Sequence, residues 1–147
     1  MTTEVITVKK PFFRYGKRDI MINGSMRGTT MLLRPYMIHY TPKSKRHSRK
    51  TFAVNFDTNG MIYVAATRCS KNDQFSRKRG SQIASGRLDK MLTTGQSSHN
   101  TTIFLNEADF MQYAGHELSV SIPSETVTYI LKIRKDFLDF VSQAPSA

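Results

Sequence analysis

The most constraining stretch is a pair of apolar runs around an Asn-Gly turn. Thr51 to Asp57 and Met61 to Arg68 flank Thr58-Asn59-Gly60. Asn and Gly both tolerate positive φ, which a tight reversal between two strands demands, so a β-hairpin is expected here. In its first arm Phe52, Val54 and Phe56 share one face, and Ala53, Asn55 and Asp57 share the other. The second arm is apolar on both faces, as befits a central strand covered on both sides.

The rest of the chain is read outward from this hairpin. Val5 to Lys9 reads as a strand interrupted at Lys10-Pro11, and Asp19 to Asn23 as a second, short one. Asn23-Gly24-Ser25 and Arg27-Gly28-Thr29 carry turn chemistry. Met31 to Tyr40 is mostly apolar, and Pro35 within it points to an edge or a bulge, since proline offers no ladder N–H. After the hairpin, Asn72 or Asp73 is expected to cap a helix whose Gly80, Ala84, Leu88 and Met91 approach the sheet. Gly86 offers that helix an end, which would put Arg87 in a loop. Residues 93–100 form a polar loop, followed by a strand over Thr101 to Leu105. Asn106 caps a short helix with Asp109 at its third position, Leu105 and Phe110 suit a hydrophobic staple, and Gly115 suits a stop. His116 to Ile122 alternates, Pro123-Ser124-Glu125 turns the chain, and Val127, Tyr129, Leu131 and Ile133 alternate back, predicting a second hairpin. Lys135 to Gln143 reads as a short helix burying Phe137, Leu138 and Val141, with 144–147 as a tail. These pieces predict one α+β domain over residues 1–147, with an antiparallel or mixed sheet of about six to eight strands and two or three helices.

Charge is distributed unevenly. Of the net +11, residues 1–90 contribute +14 and residues 91–147 contribute −3. A basic segment beside a slightly acidic one points to a polyanionic partner for the former. Three clusters carry the positive charge. The first interleaves rings with cations: Phe12, Phe13, Arg14, Tyr15, Lys17 and Arg18. Such a segment stacks bases on its rings and holds phosphates on its cations, although Phe12 and Phe13 equally suit a core beside a basic turn. The second is the loop holding Lys43, Lys45, Arg46, Arg49 and Lys50, which has no apolar anchor and either orders on a phosphate backbone or stays solvated. The third follows the hairpin: Arg68, Lys71, Arg77, Lys78, Arg79 and Arg87.

Catalytic and metal-binding patterns are missing from the sequence. His39, His47, His99 and His116 show no metal-ligand spacing with one another or with Cys69. The single cysteine excludes an intrachain disulfide, and a pairing of Cys69 with His39 or His116 stays open. The eleven carboxylates are scattered. Gly24 to Thr30 lacks the Gly-Lys-Ser/Thr ending of a phosphate loop. No catalytic residue, metal ligand or cofactor is assigned, and a non-enzymatic protein is expected. The Met-Thr-Thr-Glu start has no secretory character and no apolar run approaches a membrane span, so a membrane partner is not expected.

The segment Cys69-Ser-Lys-Asn-Asp-Gln-Phe-Ser-Arg-Lys-Arg-Gly-Ser-Gln-Ile-Ala-Ser-Gly-Arg-Leu88 resembles small accessory proteins of tailed bacteriophages. The resemblance covers residues 69–88 and carries no catalytic residue. It implies a phage origin and location in the host cytoplasm. Among such proteins are cofactors that bind single-stranded DNA and inhibitors of host enzymes. The +14 first segment combined with Phe12, Phe13, Tyr15, Tyr36 and Tyr40 makes the favoured expectation a nucleic-acid-binding protein preferring single-stranded DNA, a cofactor of phage transcription or replication, with a polymerase as a further partner and homo-oligomers allowed. The alternative is a protein that inhibits or redirects a host enzyme such as RNA polymerase or a defence nuclease. Lys135-Asp136-Phe137-Leu138-Asp139-Phe140 is similar in composition to the acidic, Phe-containing tails of single-strand-binding proteins, and is read either so or as a core helix.

Overall fold

The computed structural model describes residues 13–43, 49–68, 77–98, 100–115 and 121–143. The expected strand at Val5 to Lys9, the capping residues Asn72 and Asp73, Cys69, the run 116–120 and the tail 144–147 lie outside the described residues.

The central hairpin forms as expected, from β4 (Lys50–Phe56) and β5 (Ile62–Arg68), with Lys50 opposite Arg68 and Phe56 opposite Ile62. Gly60 has φ +89, the left-handed region that only glycine enters freely. The turn is braced by Asp57, which is 1% exposed. One carboxylate oxygen accepts the N–H groups of Asn59 (2.9 Å) and Met61 (3.0 Å), and the other accepts the Tyr63 hydroxyl at 2.7 Å. Burial and the bond to Asp57 push the Tyr63 phenol up, so it stays a donor. Outside this pair, β3 (Tyr36–Tyr40) hydrogen-bonds β4 and β6 (Thr101–Phe104) hydrogen-bonds β5, giving an antiparallel sheet in the order β3-β4-β5-β6. Pro35 stands just before β3, an edge strand, where its missing N–H breaks no ladder.

A second hairpin precedes this sheet, made of β1 (Tyr15–Ile22) and β2 (Ser25–Leu32). Its turn residues Asn23 and Gly24 have φ of 50° and 79°, both positive as a two-residue reversal requires. Two expectations are corrected here. The strand begins at Tyr15, not Asp19. Arg27-Gly28-Thr29 is no turn but the middle of β2, with Gly28 opposite Asp19. The early part of β2 is solvent-exposed, so its polar composition marks an outer ribbon and not a reversal. Among the described residues the result is two antiparallel sheets, of two and four strands, where one sheet of six to eight was expected.

Helices cover both faces of the larger sheet. On one face Ala53, Tyr63 and Ala65 pack with Ala84, Leu88, Met91 and Leu92 of α1 (Arg77–Thr94), and with Ile20 and Met31 of the ribbon. On the other, Phe52, Val54, Phe56, Ile62 and Val64 pack with Phe110 of α2 (Glu107–Tyr113) and Ile130, Ile133 and Phe137 of α3 (Ser124–Ser142). The alternation of β4 thus sorts residues between two cores. Gly86 does not end α1. The burial of Leu88, Met91 and Leu92 beyond it is worth more than the roughly 1 kcal/mol a helical glycine costs. The helix stops instead at Gly95, whose φ is +73 and whose N–H reaches the Met91 carbonyl at 2.8 Å.

The largest correction concerns residues 124–142. They form one 19-residue helix, not a returning strand and a short helix. Thr126, Ile130, Ile133 and Phe137 are the buried positions, spaced four, three and four apart as a helix requires. The period-two pattern at Val127, Tyr129, Leu131 and Ile133 arose because Ile130 fills the gap between them, leaving a run that fits both periods. In α2, Asn106 accepts the Asp109 N–H as expected. Leu105 is 65% exposed and closes no staple; its N–H donates to the Asp109 carboxylate at 2.9 Å.

Candidate functional site

The strand register lines up cations at one end of the larger sheet. Tyr40 is opposite Lys50, and Lys50 is opposite Arg68. The first turn of α1 docks at the same end. Gly80 lies so close to Thr51, the second residue of β4, that a β-carbon there would meet the Thr51 hydroxyl at 2.6 Å. His39 ties the elements together: Nδ1 pairs with the Thr51 hydroxyl at 3.0 Å and Nε2 with the Ser81 hydroxyl at 3.3 Å. Arg77, Lys78 and Arg79, exposed on that first turn, therefore join Lys43, Arg49, Lys50 and Arg68.

Electrostatics at this end is unfavourable in isolation. Among the described residues the first turn of α1 holds no acid, and its three cations sit where the helix dipole favours an anion. Two titrating groups at this end are shifted, chiefly by burial. Burial, with Arg68 beside it, lowers the Lys50 pKa. Burial, with Arg77 nearby, lowers that of His39. A polyanion placed here would relieve repulsion between cations already held together by the fold.

Other candidate residues have structural work. Arg18 forms an ion pair with Asp89 and joins the ribbon to α1. Arg87 donates from Nη1 to the Ala66 carbonyl at 2.8 Å and joins α1 to β5. Lys50, a member of the cationic cluster, also donates from Nζ to the Ser121 carbonyl at 3.1 Å. Tyr15 is half-buried, its ring edge-on to Phe137 and Phe140 at 6.0 and 6.2 Å. Phe13 is 8% exposed and belongs to the core. Lys17 is exposed on β1. Phe12, Lys45, Arg46 and Lys71 lie outside the described residues.

Arg14 leads to a feature that the sequence reading did not assemble. It lines a cleft of about 770 Å³ between α3 and the connection from β2 to β3. Arg34 and Lys132 add two more cations, Asp136 one carboxylate, and Phe13, Leu32 and Ile133 an apolar floor. Tyr36 and Tyr129 stand in its wall, 38% and 45% exposed, their centroids 6.4 Å apart at 65°. Their hydroxyls lie 3.5 Å apart, and this contact, with partial burial, raises the Tyr36 pKa. A second cleft, of about 620 Å³, lies on the α1 side and is lined by Ser81, Gln82 and Ser85. Leu33, Arg34 and Pro35 line both. Reading 126–137 at helical period would have placed Tyr129, Lys132 and Asp136 together, away from the core.

Among the described residues, no group of three or more His, Cys, Asp or Glu side chains is placed to hold a metal ion, and no helix is long and apolar enough to cross a membrane. No family model, curated protein or solved structure matches this chain.

Proposed function

We propose that this protein binds nucleic acid without catalysing a reaction on it, and prefers single strands. The observation that supports this most is the gathering of Lys43, Arg49, Lys50, Arg68, Arg77, Lys78 and Arg79, from separate stretches of sequence, at one end of the larger sheet. Cations fixed in a cluster match the closely spaced charges of a phosphate backbone and release its counterions on binding. The partly exposed rings of Tyr36 and Tyr129 favour unpaired over paired strands, because only unpaired bases present their faces for stacking. A cofactor role in phage transcription or replication, which the segment 69–88 suggests, fits this reading.

The test is a triple variant, Arg68→Ala, Arg77→Ala and Lys78→Ala. All three side chains are exposed, so stability should change by no more than about 0.5 kcal/mol per site. Binding to oligonucleotides should weaken for every sequence. The slope of log affinity against log salt should flatten by roughly 0.7 per lost phosphate contact on a single strand. An unchanged slope, in a variant that melts like the parent, contradicts the assignment of these residues.

A further inference from the structure

We infer that the two clefts flanking Arg34 form the path of an unpaired polynucleotide, with a base seated at the Tyr36–Tyr129 corner and its phosphates on Arg14, Arg34 and Lys132. This rests on the nucleic-acid reading and goes beyond it, naming the subsite that distinguishes single strands from duplex.

Four observations meet here. First, the cleft combines the two chemistries of a nucleotide unit. Two tyrosine rings set at 65° offer faces for a base, while three cations offer contacts for phosphate. The one carboxylate of the lining, Asp136, leaves the positive charge in excess. Second, its volume of about 770 Å³ lies within the ordinary range of ligand sites, about 300–1,000 Å³. Third, the rings sit in a recess between α3 and the start of β3. A base inside a duplex has both faces covered by its neighbours and cannot enter; an unpaired base can. Fourth, the recess leads to the cationic sheet end. From the Tyr36 corner a strand passes over Arg34, which lines both clefts, and meets Ser81, Gln82 and Ser85 of α1, whose side chains donate and accept hydrogen bonds. Arg77 and Lys78 lie one turn earlier on that helix. Along β3 the distance from Tyr36 to Tyr40 is about 13 Å at ~3.3 Å per residue, within the span of the 4–16 nucleotides that single-strand binders engage.

The experiment uses fluorescence anisotropy with three labelled probes: an oligothymidylate of about fifteen nucleotides, an abasic strand of the same length, and a duplex. The proteins are the parent, Tyr36→Ala/Tyr129→Ala, Tyr129→Phe and Arg34→Glu. Loss of both rings should weaken oligothymidylate binding by about five- to a hundredfold and leave the abasic strand and the duplex unaffected. Tyr129→Phe, which keeps the ring, should bind oligothymidylate like the parent. Arg34→Glu should weaken both single-stranded probes. If the double variant binds oligothymidylate as the parent does, or loses the abasic strand equally, the proposed path is wrong while nucleic-acid binding stands. If the parent binds none of the three probes, the nucleic-acid reading itself fails.

Discussion

Replacing Phe137 with Ala should cost about 3–5 kcal/mol. The ring is fully buried, the last of the four buried positions along α3. It meets Phe13 edge-on at 5.6 Å and stacks on Phe56 of the central sheet at 6.3 Å. Truncation to Ala removes the apolar area and leaves a cavity that three separate elements cannot close together. A typical domain has only about 5–15 kcal/mol of net stability, so a large share would go. The expected result is a lower urea midpoint with an unchanged denaturant dependence, and a melting temperature lower by roughly 10 °C or more. Cutting the chain after Arg134 should be worse, because it also removes Phe140, which contacts Phe13 at 5.6 Å. A truncated protein that melted like the parent would favour the alternative reading of residues 135–140 as an acidic recruiting tail.

The second large effect is expected at Asn55, which is 2% exposed. Its side chain stands in for a missing piece of β-ladder. Oδ1 accepts the N–H groups of Leu32 at 3.0 Å and Phe56 at 2.8 Å, and Nδ2 donates to the Leu32 carbonyl at 3.1 Å. The amide thereby fastens the end of the β1–β2 ribbon to the central sheet. Asn55→Ala would remove the partner these largely buried backbone groups have, at about 1–3 kcal/mol for each group left unsatisfied. Leu in place of Asn should do no better, because size is not what the site requires. The check is an unfolding curve together with hydrogen exchange at the Leu32 amide, which should lose protection. A variant within about 0.5 kcal/mol of the parent would mean that water replaces the amide at little cost.

The central hairpin was legible because two signals agreed, the Asn-Gly turn and the alternation of Phe52, Val54 and Phe56. The cap at Asn106 was legible because capping is chemistry between near neighbours. The α3 helix was not, since Val127 to Ile133 satisfies two periods and only the distant position of Phe137 chooses between them. Asn55 was assigned the correct face, but nothing local announces that Leu32, 23 residues earlier, needs its amide. The contacts of Arg18 and Arg87 were not legible for a related reason. A cation reads the same in sequence whether it faces solvent or closes a contact such as the one from Arg87 to the Ala66 carbonyl. The cleft escaped notice because its parts come from the residues before β1, the end of β2, the β2–β3 connection, β3 and α3, which only the fold brings together.

The most direct test of nucleic-acid binding is an anisotropy titration of the unmodified protein with a labelled single strand and the matching duplex, at two salt concentrations. The proposed function predicts micromolar or tighter affinity for the single strand at low salt, weaker binding to the duplex, and a steep loss of both as salt rises. Absence of micromolar affinity for either strand form at low salt, with DNA and with RNA, would contradict it.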